Sequence, residues 1–562
     1  MENAEIIQQF ELTIKLLELH GENPFKIRGY QGAVAALEKT TEPLAQLPPD
    51  QLNQIEGIGK GIMEKIRLLG TQGMFPELHE LLQKTPEGVV EMLEIPGLGP
   101  KKVHILWKEL GIETTDALLL ACEQNRVAAT KGFGEKTQEN IRQALLFRLS
   151  AGGKLRCDEA ETAAGYLLQT LREMGLQAAL TGQMARHAEI VDTIQLAVST
   201  GQPIQTHRLL NQTEKLRADG KNSGPFAWRG HLDGVPVAVE ILLVSPETFT
   251  GRVFLHSAAA GHLRHTTETG QTLLQTALSE THADDAQIYA KAGLPYIIPE
   301  MREGASEFEW AKHHSPDEIV TFQDLKGILH NHSTYSDGRH TLEEMAVYCQ
   351  SLGYEYFGIS DHSKSAFYAN GLHEDRIRQQ HAEIDALNLQ LAPFKIFKGI
   401  ESDILNDGSL DYGGDVLQTF DFIVASIHSN LKMDGAKATQ RLITAIENPY
   451  TTMLGHPTGR LLLRREGYPV DHRKVIDACA ANGVVIEINA SPWRLDLDWR
   501  WLPYAMEKGV RISINPDAHD KAGLHDMVYG TQVARKGGLT KALTFNALSA
   551  TKMAAYFNGR RK

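Results

Sequence analysis

The chain has few cysteines and no long apolar run. Its four cysteines lie far apart and form no C-x-x-C pair, which argues against structural disulfides and suits a reducing cytoplasm. No apolar stretch approaches the roughly 20 residues that a membrane helix needs. The first residues, MENAEIIQQF, lack the basic-then-apolar order of a secretory signal. The sequence therefore predicts a cytoplasmic protein that does not use a membrane.

Basic charge is also in short supply. The 562 residues include 57 lysines and arginines against 70 aspartates and glutamates, which gives a formal net charge of −13. This balance argues against adhesion to DNA through bulk electrostatics, so any DNA contact must be local. The length predicts three or four domains of about 150 residues each. A composition with 42 % apolar and 23 % charged residues is typical of globular domains.

Metal-binding residue types are plentiful between Gly327 and His519, where seven short apolar runs follow one another. Six of the seven runs end on His, Asp or Glu, and the remaining run ends on Asn489. The six sets of residues are His330 and His332, Asp361 and His362, Glu401, His428, His456, and Asp517 and His519. Such runs are typical of buried parallel strands. In a barrel of alternating strands and helices, the carboxyl ends of the strands converge at one mouth.

These residue types indicate a particular chemistry. Neutral imidazole and carboxylate bind Zn²⁺, Mn²⁺ and Fe²⁺, and mixed clusters of the two can hold more than one ion. Clustered ions activate water near neutral pH and neutralise charge on a phosphoryl group under attack. A single histidine at a strand end is usually structural, but repetition at nearly every strand end is not. The pattern therefore favours a metal-dependent phosphoesterase.

The same segments resemble the polymerase-and-histidinol-phosphatase (PHP) domain. The H-x-H motif at His330, the later S-D-G, S-D-H, G-I-E-x-D, S-I-H-S and G-H-P segments, and P-D-A-H match its motifs in order. The resemblance implies a distorted (βα)7 barrel with a site for two or three divalent ions (Mn, Zn or Fe). The implied ligands and catalytic residues are His330, His332, Asp337, His362, Glu401, His428, His456, Asp517 and His519. Glu401 would bridge ions, and Asp361 would orient His362.

Three glycine-containing turns predict DNA contacts in the N-terminal region. They lie at residues 55–60, 95–102 and 131–136, and each is followed by lysine. Two glycines around one apolar residue allow a tight turn, after which the amino end of a helix favours an anion. This is how helix–hairpin–helix elements hold a DNA phosphate without reading its sequence. The predicted DNA-binding residues are Gly57, Gly59, Lys60, Gly97, Gly99, Lys101, Lys102, Gly132 and Gly134.

The order of these elements resembles the bacterial X-family DNA polymerases that carry a C-terminal PHP domain. The resemblance implies a helical lyase-like and hairpin region at 1–150, an α+β palm and thumb at 155–315, and the PHP barrel at 320–562. Lys65 lies where that family has its Schiff-base lysine. An ordinary solvated helix lysine near a phosphate is the alternative interpretation, and it is favoured because an imine-forming lysine needs a depressed pKa.

The palm departs from the family pattern at its metal ligands. Family palms carry two aspartates at i, i+2 on one strand and a third on a neighbouring strand, whereas this chain has Thr193, Gln195 and Glu240 there. Two neutral side chains cannot supply the charge that Mg²⁺ ions need. Asp192 would face the opposite side of the strand unless a bulge re-aimed it. We therefore expect polymerase activity to be lost.

The predicted function is metal-assisted hydrolysis of a DNA phosphodiester in DNA repair. The resemblance implies a Mn²⁺-dependent 3′→5′ exonuclease, with abasic-site cleavage as a further activity, acting on gapped, nicked or 3′-end substrates. Arg460 and Arg494 are candidates for contacts with phosphate oxygens, and both could equally be ordinary surface residues. Three alternatives stay open: an active repair polymerase with a proofreading barrel, a small-molecule phosphatase of the histidinol-phosphate type, and a non-enzymatic DNA scaffold.

Overall fold

The structure is a computed structural model that describes residues 3–37, 40, 44, 47–52, 55, 58–267, 270–279 and 281–560. The chain divides into two compact units, Met1–Ala151 and Gly152–Lys562. Across these described ranges, no helix is both long and apolar enough to cross a membrane.

All the regular secondary structure described in the first unit is helical. Its helices are α1 (Asn3–Leu19), α2 (Pro24–Leu37), α3 (Pro49–Leu52), α4 (Lys60–Gln72), α5 (Pro76–Gln83), α6 (Glu87–Met92), α7 (Pro100–Lys108), α8 (Thr115–Glu123) and α9 (Glu135–Ala151). An aromatic cluster joins three segments, because the ring of Phe10 lies 5.7 Å from those of both Tyr30 and Phe75. Burying these rings and the apolar faces of the helices stabilises the unit.

The second unit begins with a mixed α/β region. Its strands are β1 (Leu155–Arg156), β2 (Gln177–Thr181), β3 (Ile190–Val191), β4 (Thr193–Ser199), β5 (Leu216–Ala218), β6 (Ala227–Leu232) and β7 (Ala238–Val244). Its helices are α10 (Cys157–Glu173), α11 (Gly182–Ala185), α12 (Pro203–Asn211), α13 (Phe249–Ser257), α14 (Ala260–Leu263), α15 (Leu273–Ser279), α16 (Asp285–Ala292) and α17 (Glu307–Trp310). Five strands form a sheet in the order β2-β4-β7-β6-β5, and β1 pairs with β3.

The rest of the second unit alternates strand and helix. Its strands are β8 (Gly327–Ile328), β9 (Tyr356–Ile359), β10 (Lys395–Asp403), β11 (Phe422–Ser426), β12 (Met453–Leu454), β13 (Val485–Asn489) and β14 (Ile512–Asn515). Its helices are α18 (Leu342–Ser351), α19 (Glu374–Gln390), α20 (Gly414–Leu417), α21 (Gly435–Ile446), α22 (His472–Asn482), α23 (Leu502–Glu507), α24 (Met527–Lys536) and α25 (Ala550–Arg560). The seven strands are parallel and lie in the order β14 to β8.

Aromatic rings fill the interior of this barrel near the amino ends of its strands. The ring of Phe557, from α25, stacks 5.5 Å from that of Phe422 on β11 and lies 5.1 Å from that of Phe397 on β10. Glycine makes the space, because a Cβ at Gly399 would lie 2.2 Å from the Phe422 ring. With this end closed by apolar packing, polar residues are left for the opposite end, where the strands terminate.

One buried asparagine joins the first and last strands of the barrel. The Asn546 side chain donates to the carbonyls of Gly327 on β8 (3.0 Å) and Ile514 on β14 (2.6 Å), and it accepts from the N–H of Ile514 (3.1 Å). These bonds satisfy backbone groups at the seam between β8 and β14, which the strands would pair directly if the sheet closed completely. The multidomain α/β fold with helical N-terminal region and (βα)7 barrel is confirmed, whereas the domain limits at 155–315 and 320–562 stay predictions.

Candidate functional site

The structure brings all nine candidate metal ligands together at the carboxyl ends of the barrel strands. His330, His332 and Asp337 follow β8, His362 follows β9, Glu401 lies in β10, His428 follows β11, His456 follows β12, and Asp517 and His519 follow β14. Most of these side chains are buried, and those of Asp337 and His519 are partly exposed. Substrate can therefore approach from the side of the cluster that these two residues line.

Glu401 lies at the centre of the cluster. Its carboxylate oxygens come within 3.7 Å of ring nitrogens of five histidines: His330, His332, His362, His428 and His456. A buried carboxylate surrounded by imidazoles is suited to bridge neighbouring cations. Its position agrees with the bridging role expected from the sequence, although that role remains a proposal.

Three groups of side chains are spaced to hold cations. They are His332, Asp337, His362 and His519; His330, His332 and Asp517; and His362, Glu401 and His428, and within each group the ligand atoms lie within 4.8 Å of one another. His332 and His362 each belong to two groups. His456 falls outside the three groups, but its Nε2 is 2.9 Å from Glu401 Oε1.

Unpaired polar atoms show that the residues fit metal ions. His330 Nε2 and Glu401 Oε2 are buried and make no well-directed hydrogen bond within the part of the chain that the structure describes. Buried polar atoms are nearly always paired, because leaving one unpaired costs about 1–3 kcal/mol. A divalent cation between an imidazole nitrogen and a carboxylate oxygen would satisfy both atoms.

The surroundings of the cluster shift its histidine pKa values in both directions. Although burial opposes it, neighbouring carboxylates raise the pKa values of His330, His428 (to about 10) and His519 (to about 9), and a bound cation would take the place of those protons. Burial, together with the neighbouring His519 and His362, lowers the pKa of His332 to about 3, so this imidazole is neutral, as a ligand must be. Burial alone would raise the pKa of Glu401, but the histidines around it hold that pKa well below its usual range. Ionised carboxylates and neutral imidazole are the forms that bind Zn²⁺, Mn²⁺ and Fe²⁺.

Two carboxylates that sequence reasoning missed orient the histidines. Glu487, on β13, accepts from His330 Nδ1 at 2.6 Å, and Asp403, on β10, accepts from His428 Nδ1 at 2.5 Å. Each bond turns the Nε2 of its histidine toward Glu401. Side chains two residues apart on a strand share a face. Asp403 lies two residues after Glu401, and that spacing was the available signal.

Asp361 does not orient His362, contrary to the expectation from sequence. Its carboxylate accepts from the backbone N–H and the hydroxyl of Ser333, from both groups of Ser336, and from the Gln380 amide. Asp361 instead fixes the loop that carries Asp337.

The two candidate arginines differ in their surroundings. Arg460 donates to the carbonyls of Arg494 and Leu495 and to the Asp498 carboxylate, so its guanidinium holds a loop in place. Arg494 lies beside the cluster, with its Nε 3.6 Å from Asp517 Oδ2. Of the two, Arg494 is therefore the better placed to meet a phosphate.

Two of the three predicted DNA-binding turns share one geometry. Gly59 and Gly99 precede α4 and α7 with nearly equal dihedrals, φ −83°, ψ 168° and φ −77°, ψ 166°. A Cβ at Gly59, Gly97, Gly99 or Gly134 would meet nothing within 4 Å, so the backbone stands open to a phosphate. Gly97 and Gly132 have φ values of +87° and +92°, which favour glycine.

The lysines of these turns differ in their neighbours. Lys60 and Lys101 are exposed, and the Lys102 ammonium donates to the Gly97 carbonyl at 3.3 Å. Gly57 lies outside the described residues. DNA binding through these positions stays a proposal.

Lys65 is held by a carboxylate. Its Nζ lies 2.9 Å from Glu77 Oε2, and the same carboxyl group forms an ion pair with Lys26 at 2.5 Å. The Lys65 ammonium also lies over the Tyr30 ring, 4.8 Å from its centroid. An amine must be free to reach a sugar carbonyl to form an imine, whereas Lys65 is engaged by Glu77 and Tyr30. The arrangement favours the interpretation of Lys65 as an ordinary charged lysine.

In the palm, the candidate polymerase ligands form a neutral network. Glu240 faces Gln195 across β4 and β7 and faces Arg229 across β6 and β7. Gln195 Nε2 donates to Glu240 Oε2 (2.7 Å), and Arg229 Nε donates to Oε1 (2.7 Å). Thr193 lines the same open cavity of about 440 Å³. Both carboxylate oxygens of Glu240 therefore already have hydrogen-bond donors, and its charge is paired with that of Arg229.

Comparisons with known proteins agree with this architecture. A helix-hairpin-helix domain matches residues 1–73, a SAM-like helix-hairpin-helix tandem matches 89–145, and the PHP domain matches 329–491. Fold and site together define a PHP-domain hydrolase of phosphate esters joined to DNA-binding helical hairpins.

Relatives identify the family. The chain is 35 % identical to the DNA polymerase/3′-5′ exonuclease PolX of Bacillus subtilis over 99 % of both chains. It also matches a "probable phosphatase" of a Thermoanaerobacter species, 30 % identical over 28 % of this chain and 69 % of the relative. A similar protein of Acetivibrio thermocellus is 28 % identical over 36 % of this chain and 83 % of the relative. The chain belongs to the family of X-family DNA polymerases that carry a PHP domain.

Proposed function

We propose that this protein is a DNA-repair 3′→5′ exonuclease in which the barrel hydrolyses the phosphodiester and the palm no longer polymerises. The convergence of nine metal-type side chains around the buried carboxylate of Glu401 carries this proposal. Two or three divalent ions (Mn, Zn or Fe) bound there would supply activated water and neutralise charge on the phosphoryl group.

The protein's own residues would hold and aim this site. Glu487 and Asp403 fix the two histidines whose Nε2 atoms face Glu401. Arg494, a partly buried cation beside Asp517, would contact a phosphate oxygen of the substrate. Entry on the side of Asp337 and His519 would bring a DNA end to the cluster.

The loss of polymerase activity is supported by the charge of the palm. Glu240 is paired with Arg229, and the other carboxylate that lines the cavity, Asp219, accepts from the Lys221 N–H and the Asn222 amide, whereas Mg²⁺ needs anionic oxygen ligands. Asp192 is exposed and is not among the residues that line this cavity, which supports the proposal that it does not replace the missing aspartates. Among the residues that the structure describes, no group of three or more His, Cys, Asp or Glu side chains in the palm is spaced to hold a cation.

DNA is the proposed substrate because of the helical region. Three open glycine turns, each at the amino end of a helix, suit phosphates of gapped or nicked DNA. The name of the Bacillus subtilis relative includes a 3′-5′ exonuclease activity, which supports the same direction of cleavage here. Cleavage at abasic sites is a further proposed activity.

Primer assays test the proposal. A 5′-labelled primer on a gapped template is incubated with Mn²⁺ and all four nucleotides, using the wild type, His330→Ala and, as a matched control, the exposed thumb histidine variant His313→Ala. We expect the primer to shorten with the wild type and the control, and to stay intact with His330→Ala. Extension of the primer would refute the loss of polymerase activity.

Hydrolysis of small phosphate esters is a second candidate function. The relatives named as phosphatases match only a part of this chain. A sequence similar to that part therefore also occurs in proteins that lack the rest of this chain. If the primer is neither shortened nor extended while histidinol phosphate is hydrolysed, this second function is favoured over the exonuclease.

A further inference from the structure

Two aromatic rings stand in solvent beside the metal-type cluster. They belong to the loop between β9 and α19, residues 360–373, which begins with Asp361 and His362. Phe367 is 86 % exposed and Tyr368 is 64 % exposed. The Tyr368 ring lies 6.3 Å from the His362 ring and 6.3 Å from the Phe367 ring, and the two aromatic rings meet at 76°. The pair therefore extends outward from a candidate ligand as the two walls of a corner.

The loop that carries these rings is firmly held near its start. The N–H of Ser363 donates to the Glu401 carbonyl (3.0 Å), and the N–H of Ser365 donates to the Asp411 carboxylate (2.6 Å). The Lys364 N–H donates to the Tyr412 hydroxyl at 3.1 Å. These bonds tie the loop both to the strand of the bridging carboxylate and to the following segment.

The end of the loop is equally constrained. The N–H of Leu372 donates to the His362 carbonyl at 2.8 Å, and a Cβ at Gly371 would lie 1.9 Å from the Ser363 carbonyl. Asn370 takes a left-handed conformation with φ 54°, and Arg376 Nη1 donates to its carbonyl at 2.9 Å. The two rings are thus presented to solvent by a fixed backbone rather than by a loose loop.

Folding gains nothing from this exposure. Large apolar side chains normally stabilise a protein by leaving water, and an exposed patch at a cleft is typical of a binding surface. A flat ring beside a phosphodiester-cleaving site suits the face of a nucleobase. Bases in a duplex already stack on each other, so an unpaired base is the one that can stack here.

On the basis of the proposed exonuclease function, we propose that Phe367 and Tyr368 form a stacking platform for the unpaired base at a DNA 3′ end, in which one ring stacks on the face of the base and the other borders its edge. A base held there would keep its own phosphate within one nucleotide's length of the cluster. A paired 3′ end must first fray to reach the platform. The platform therefore makes the protein prefer single-stranded or mismatched 3′ ends to paired ones.

A fluorescence measurement tests the platform without relying on cleavage. An oligonucleotide ending in 3′-terminal 2-aminopurine, whose emission is quenched on stacking, is titrated with His330→Ala protein. We expect quenching that is lost when F367A and Y368A are added to this variant, and retained when Phe367→Trp is added instead. The matched control is Leu389→Ala, because Leu389 is 85 % exposed but lies at the far end of α19. Adding Leu389→Ala to the His330→Ala protein should leave the quenching unchanged.

Kinetics supply the second measurement. Wild-type protein and F367A/Y368A are compared on single-stranded DNA whose 3′-terminal nucleotide either carries its base or lacks it, and metal content is measured in both proteins. Because stacking contributes about 1–3 kcal/mol per base, we expect the double variant to lower kcat/KM about 5- to 150-fold on the base-bearing end. Its rate on the end that lacks the base should change far less.

The outcomes separate the platform from the exonuclease. Absence of quenching by His330→Ala, or equal losses on base-bearing and base-lacking ends, overturns the platform even if the wild type degrades DNA. Quenching that depends on the two rings, in a protein that does not shorten DNA, supports the platform and refutes the exonuclease.

Discussion

Replacing Glu487 with glutamine should weaken metal binding without unfolding the barrel. The Glu487 carboxylate accepts three hydrogen bonds, from His330 Nδ1 (2.6 Å), the His456 N–H (2.8 Å) and the Asn515 amide (3.1 Å). Glutamine has one acceptor oxygen and one NH₂ group. At least one of the three donors would then face the NH₂ group. Even in the orientation that keeps the His330 bond, the acceptor is a neutral amide, which holds and polarises the imidazole less strongly than a carboxylate does.

The expected loss follows from how such partners act in metal sites. Removing a carboxylate that orients a ligating histidine typically costs 10- to 100-fold in metal affinity or activity, about 1.4–2.7 kcal/mol. We therefore expect Glu487→Gln to raise the Mn²⁺ concentration for half-maximal exonuclease activity by that factor. Much of the activity should return at saturating Mn²⁺, because the nine ligands are intact.

The assay is primer shortening across a Mn²⁺ titration, with bound metal measured by equilibrium dialysis. Asp385→Asn is the control, because Asp385 forms an exposed ion pair with Lys398 (2.7 Å) and should leave the titration unchanged. If Glu487→Gln and the wild type show the same half-saturation, the orienting role of Glu487 is wrong.

Three other perturbations have defined outcomes. Asn546→Ala should lower the free energy of barrel unfolding by about 3 kcal/mol, because it leaves buried backbone groups at the seam unpaired. An unchanged urea midpoint would contradict this. Burial, and then the carboxylates of Asp158 and Asp520, raises the pKa of Asp526 to about 7. Because Asp526 ionises less readily in the folded protein than in the unfolded chain, the free energy of unfolding is highest at low pH and falls as pH rises from about 4 to 7. Asp526→Asn should therefore stabilise the protein at pH 8 by about 1–2 kcal/mol after discounting for solvent and have little effect near pH 4, as thermal unfolding at both pH values will show. Lys101→Ala with Lys102→Ala should weaken DNA binding for all sequences and reduce the salt dependence of log K by about 2. A loss confined to one sequence would argue against phosphate contacts.

The barrel could be predicted from sequence because of its physical simplicity. A parallel strand covered on both faces must be apolar along its length, so the seven runs stand out. The ligands at their ends stand out as well, because a polar residue after an apolar run breaks the pattern at a regular interval. Glu401 and its histidines were found in this way.

The orienting carboxylates were not predicted, because their roles depend on the closing of the barrel. Glu487 is a lone acid inside an apolar run, and only the curvature of the sheet turns it toward His330 rather than into the helical layer. Asp361 was assigned to the wrong partner for the same reason. The neutralisation of Glu240 by Arg229 depends on the register between β6 and β7, which cannot be read from the sequence alone.

The mixed α/β region that precedes the barrel also supports it. Lys536 ends α24, the helix that follows the strand and loop carrying Asp517 and His519, and it is buried. Its ammonium donates to the Arg186 carbonyl at 2.8 Å and pairs with the Glu303 carboxylate, and both partners come from the palm and thumb. Removing the partners of a buried charge costs several kcal/mol. The proposed loss of nucleotide chemistry would carry no such cost, so a palm without catalytic carboxylates would persist as part of the structure that positions the hydrolytic site.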